Sequence, residues 1–106
     1  MSRQFKRRDV AVAHNSCETL PGSVLGDLAV TDYAPNVWTI THLPSGLALS
    51  TSSGLWGVLN KRNAHEIVRT LVEGPIDWSA SGAELATHER ARDAVDAAWF
   101  AAEGWL

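Results

Sequence analysis

Val37-Trp38-Thr39-Ile40-Thr41-His42-Leu43-Pro44-Ser45-Gly46-Leu47-Ala48-Leu49-Ser50 is the stretch that decides the fold. Val37 to His42 alternates two faces in strand-forming residues, with Trp38, Ile40 and His42 on one side and Val37, Thr39 and Thr41 on the other. Leu47 to Ser50 answers it across a turn. Pro44 presets φ for the first corner, and Gly46 can take the left-handed conformation that a type I turn with a bulge requires. The reading is a β-hairpin over 37–50, and its Trp38 face is the one expected to lie under helices.

C-terminal to the hairpin, Thr51 to Gly54 is a flexible connector, and Leu55 to Leu59 is either a short strand or the lead-in to a helix. Asn60 has the side chain of an N-cap. After it, Ala64, Ile67, Val68, Leu71 and Val72 recur at three and four residues, and Gly74 with Pro75 ends the helix. A short link, Ile76-Asp77-Trp78, leads to a second helix. Ser81-Gly82-Ala83-Glu84 reads as its capping box, and Ala91, Val95, Ala98, Trp99 and Ala102 as its apolar stripe. So much alanine predicts a close approach to the sheet, with Trp99 filling the remaining space.

N-terminal to the hairpin, Leu28 to Tyr33 predicts a strand ended by Ala34-Pro35-Asn36. Asn15 to Gly26 reads as a loop, Asp9 to His14 as a short strand, and residues 1–9 as a loose basic arm. The expectation is one α+β domain over 1–106: a small antiparallel sheet, made of the hairpin plus one or two N-terminal strands, covered on one face by two C-terminal helices.

A chain of 106 residues, 45% apolar and 20% charged, can bury a modest core. Five tryptophans beside one tyrosine and two phenylalanines imply that some indoles lie at a surface; Trp105, near the chain end, is the one expected to be free, leaving monomer and homodimer both open. The single Cys17 excludes an internal disulfide and suits a reducing compartment. A charged start without an apolar segment after it, and an apolar run no longer than Ala97 to Ala102, predict a cytosolic protein with no membrane contact. The formal net charge of -3 is unevenly spread. Arg3, Lys6, Arg7 and Arg8 crowd the start, whereas from Thr70 onward Glu73, Asp77, Glu84, Glu89, Asp93, Asp96 and Glu103 face only Arg90 and Arg92.

His14, Cys17, His42, His65 and His88 contain one His-x-x-Cys spacing but no second ligand pair, so neither a metal nor another cofactor is expected. A Cys17 nucleophile with His14 or His42 as base would need a feature that lowers the thiol pKa, and no sequence feature marks one. There is no glycine-rich phosphate loop or nucleophile elbow. The chain reads as non-enzymatic. Glu89, Asp93, Asp96, Phe100 and Glu103, spaced four, three, four and three, form an acidic row with one aromatic among the carboxylates, a surface suited to a basic groove on a protein partner. Charge reversal at Asp93 and Asp96 is expected to abolish such binding without disturbing the fold. The alternative partner is nucleic acid, held by Lys6, Arg7 and Arg8 beside Phe5 and extended by Lys61, Arg62 and Arg69.

The run from Trp38 to Gly46, followed by a helix opening Asn60-Lys61-Arg62-Asn63-Ala64, resembles a pattern in small proteins of bacteriophages and prophages, over about residues 37 to 73. In size, acidity and lack of a motif the chain is also similar to anti-CRISPR proteins. That resemblance implies an inhibitor of a host defence complex that works by binding its protein subunits. The group shares no single fold or signature, so it assigns no residue here.

Overall fold

A computed structural model describes residues 4–12, 18–79 and 89–103. Within them lie six strands and two helices: β1 (Lys6–Val12), β2 (Glu18–Leu25), β3 (Leu28–Ala34), β4 (Val37–His42), β5 (Leu47–Ala48), β6 (Gly57–Val58), α1 (Lys61–Glu73) and α2 (Glu89–Glu103). The strands form one antiparallel sheet in the order β1-β2-β3-β4-β5, with β6 also paired to β4. This is the α+β architecture the hairpin predicts, with more strands than expected. The outer edge of β4 is divided: Thr41 and His42 pair with β5, and Trp38 and Thr39 with β6.

The turns follow local chemistry. Between β2 and β3 a two-residue turn has Gly26 at φ 63, the first-corner glycine of a hairpin turn that matches strand twist. Between β3 and β4, Pro35 is followed by Asn36 at φ 62, a left-handed position asparagine tolerates. Gly46, at φ 72, closes the β4–β5 turn by donating its N–H to the His42 carbonyl at 2.7 Å. β5 is only two residues long, but the Leu49 N–H to Ile40 carbonyl bond, 2.7 Å, carries the hairpin one step further.

The sequence expectations for the N-terminal third need correction. The loose arm over 1–9 is a strand from Lys6 onward, and the loop over 15–26 is the full strand β2 from Glu18. Pro21 is tolerated because β2 pairs with β3 only from Gly22 onward, so its missing N–H lies outside that ladder. Gly22 is required by close approach: a Cβ there would lie 2.9 Å from both Val10 Cγ2 and the Val30 carbonyl oxygen. The start of β1 is held at Phe5, whose ring meets His65 edge-on at 4.5 Å and lies 5.4 Å from the Arg69 guanidinium carbon. Arg7 bridges to Asp32 at 3.1 Å.

The main core lies between sheet and helices. Leu25, Leu28, Val30, Ile40 and Val58 from the strands meet Ala64, Ile67, Val68 and Leu71 of α1 and Ala91, Val95, Ala98 and Trp99 of α2. Trp38 and His42 are on this side, as alternation predicts. Asn60 caps α1, its Oδ1 accepting the Asn63 N–H at 3.2 Å. α1 lies across β2, β3, β4 and β6, whereas α2 packs chiefly on α1. The alanines of α2 thus allow helix against helix rather than helix against sheet. The capping box at Ser81 to Glu84 lies outside the described residues, as do His14, Cys17, His88 and Trp105.

The other sheet face has a small cluster of its own, Val10, Val12 and Ala29, with Leu20, Val24 and Leu43 around it. Val12 of β1 and Ala48 of β5 border the same groove. In a flat sheet strands that far apart would be separated by about 19 Å, so the sheet curls strongly away from the helices.

Candidate functional site

Three places bring chemistry-bearing side chains together. The first is the outer face of α2. Glu89, Asp93 and Phe100 point to solvent, and Phe100 is 54% exposed. Asp96 is half-buried and committed within the molecule: its carboxylate accepts from the Ser52 N–H at 2.8 Å and from the Ser52 hydroxyl at 2.6 Å. Glu103 is also half-buried, and Arg90 and Arg92 lie exposed on the same helix. The structure therefore presents Glu89, Asp93 and Phe100 outward, while Asp96 ties α2 to the segment after the hairpin. Reversal at Asp96 is a test of stability as much as of binding.

The second is the basic start of β1. Successive strand residues point to opposite faces, so Lys6 and Arg8 belong to the curled face and Arg7 to the helix side, where it donates to Ser23 at 3.1 Å and pairs with Asp32. Lys61, Arg62 and Arg69 sit on α1, across the sheet from Lys6 and Arg8. The five do not form one patch.

The third is the groove inside the curl, about 370 Å³ in volume and lined by Val12, Tyr33, Thr39, Thr41, Ala48 and Trp56. Tyr33 and Trp56 are 39% and 44% exposed and meet edge to face at 5.1 Å between centroids. Thr31 and Thr41 share a hydrogen bond of 2.6 Å beneath the surface. A register shift between Asp32 and Ala34 falls at Tyr33. Trp56 follows a compact loop in which buried Thr51 organises the backbone: its carbonyl accepts the Gly54 N–H at 2.9 Å and its hydroxyl the Leu55 N–H at 3.0 Å. Alternation places Tyr33 on the face of Ala29 and Thr31, but Trp56 stands outside the strands, so no periodicity brings it there. Its only sequence signal is the excess of tryptophan, with Trp56 set between Gly54 and Gly57.

A serine and histidine also meet in a second cavity, about 330 Å³, lined by His42, Ser45, Trp78 and Arg92 among others. His42 Nε2 lies 2.6 Å from the Trp78 carbonyl, which can only accept, so this nitrogen carries the proton; in the neutral ring Nδ1 then accepts the Ser45 hydroxyl at 2.8 Å. Three neighbouring backbone donors are already used, Gly46 N–H by the His42 carbonyl, Leu47 N–H by Ser45 Oγ and Ser52 N–H by Asp96. The His42 set locks the hairpin to the α1–α2 link, with Trp78 Nε1–H donating to the Leu71 carbonyl at the end of α1, 2.9 Å away.

Among the described residues there is no cluster of three or more metal-ligating side chains, and no helix long and apolar enough to cross a membrane. No protein-family model, curated protein or solved structure matches the chain.

Proposed function

We propose that this protein acts by binding another protein through the outer face of α2, in the manner of the small phage inhibitors it resembles, whose target is a host defence complex. The observation that carries the reading is Phe100. It is more than half exposed on a helix whose opposite side is fully used in the core, and it stands in line with the solvent-facing carboxylates of Glu89 and Asp93. An aromatic anchor with charges at its rim is the common composition of an energetic centre in an interface. The double hydrogen bond of Asp96 to Ser52 supports the reading by fixing the roll of α2, so the three side chains are presented without a large ordering cost.

The test is a pull-down of the tagged protein from bacterial lysate treated with nuclease, run in parallel with Phe100→Ala and with Glu89→Lys/Asp93→Lys. A stoichiometric protein partner retained by the parent and lost by both variants is the expected result. A partner held equally by all three proteins, or none that survives nuclease, overturns the reading.

A further inference from the structure

We propose that the sheet face turned away from the helices binds single-stranded nucleic acid, with Tyr33 and Trp56 stacking on bases and Lys6 and Arg8 holding phosphates. The register places these groups on one face of the sheet. Directly opposed residues share a face, so Arg8, Gly22, Thr31, Thr39 and Gly57 form one row across β1, β2, β3, β4 and β6. Lys6, Val24, Ala29, Thr41 and Ala48 form the next. Between the two cations and the groove, the first row holds only a glycine and a buried threonine, and the second a half-buried valine and a buried alanine. Ala29, Thr31, Thr39 and Thr41 are themselves buried, so contacts with a bound chain fall to the exposed cations at one end of these rows and the exposed rings at the other.

Charge complementarity favours this occupant over a peptide or a small apolar ligand. Lys6 and Arg8 are exposed and have no ion-pair partner among the described residues. Arg7 supplies the contrast, pointing to the helix side and neutralised by Asp32. The carboxylates of α2 lie beyond the sheet, on the helix side. Basic side chains that follow a backbone, together with aromatic rings onto which any base can stack, are the two components of sequence-tolerant single-strand binding. A curled antiparallel sheet supplies the concave surface. The inference does not depend on α2.

The experiment is fluorescence anisotropy of the full chain with a labelled oligothymidylate of about 16 nucleotides, the upper site size for one small domain, and with a duplex of equal length. The single strand should bind more tightly than the duplex, with affinity falling as salt rises. Lys6→Ala/Arg8→Ala should weaken binding and flatten the log–log salt dependence by about 1.4, the value for two single-strand phosphates. Trp56→Ala should lower affinity about tenfold or more through loss of one stacked base, with the salt slope kept. Lys61→Ala/Arg62→Ala and Phe100→Ala should leave both unchanged, which separates this surface from the one proposed on α2. Absence of binding at about 50 mM salt, equal affinity for duplex, or a loss produced by Lys61→Ala/Arg62→Ala instead of Lys6→Ala/Arg8→Ala overturns the proposal. The strand variant keeps the test decisive should Trp56→Ala unfold, since Lys6 and Arg8 are exposed.

Discussion

One carboxylate oxygen of Asp96 accepts the Ser52 N–H at 2.8 Å and the other the Ser52 hydroxyl at 2.6 Å, joining residues 44 positions apart. The pair is a brace between α2 and the loop that leads to Trp56. Asp96→Ala should cost about 1 kcal/mol, because charge-assisted hydrogen bonds are strong but this pair is partly open to water. Ser52→Ala removes only the hydroxyl half. Urea unfolding of both single variants and the double variant should show non-additivity; purely additive losses would mean the two side chains do not act together.

His42 joins three separate segments: the hairpin strand, its turn through Ser45 and the α1–α2 link through the Trp78 carbonyl. His42→Ala should cost about 3 kcal/mol, combining a buried cavity with an unsatisfied carbonyl and hydroxyl. Ser45→Ala should cost about 1 kcal/mol, since only one side-chain partner is lost. Denaturant midpoints rank the two, and a Ser45→Ala loss as large as that of His42→Ala would contradict the assignment of the carbonyl bond as the main tie.

The local rules that made the hairpin and α1 legible also explain what was hidden. A turn with proline and glycine, an asparagine cap and a three-and-four stripe are each set by neighbouring residues, so they can be read from a linear string. β2 cannot. Its Pro21 and Gly22 have the composition of a loop, and only the register with β1 and the shortened register with β3 make them strand residues. The acidic row on α2 was legible as spacing, but the commitment of Asp96 to Ser52 depends on how two distant segments dock. The Tyr33–Trp56 groove was hidden for the same reason: it arises from sheet curl and from a loop that brings Trp56 beside Tyr33.

Gly22→Ala should destabilise the fold by about 1 to 3 kcal/mol, the usual range for forcing extra volume into a packed site. Its added carbon would meet the Val30 carbonyl oxygen at 2.9 Å, and backbone cannot swing aside as a side-chain tip can. Thermal unfolding of the variant checks it; an unchanged midpoint would show that the curl of the sheet relaxes freely at this point.

The Asp77 carboxyl is held below its ordinary value by Ser79, chiefly through its hydroxyl and next through its N–H. A carboxyl depressed in the folded state adds stability above its unfolded value, near pH 4, and loses it as pH falls through the folded value. Asp77→Asn removes the charge while keeping an acceptor oxygen. The gap in urea midpoint between parent and variant should therefore be open at about pH 6 and narrow by about pH 3. A gap of constant size would place the effect in geometry rather than charge.

The divided edge of β4 has a consequence for growth of the sheet. An unpaired strand edge is a template onto which another chain can add, and repeated addition leads to fibrils. Here one end of that edge is occupied by β5 and the other by β6, two short strands from either side of a loop braced by Asp96. At the opposite edge, the charged Lys6, Arg7, Arg8 and Asp9 of β1 discourage stacking of identical copies. Loosening the loop between β5 and β6 would uncover β4, so variants that release it should reveal themselves first by aggregation and only later by loss of secondary structure.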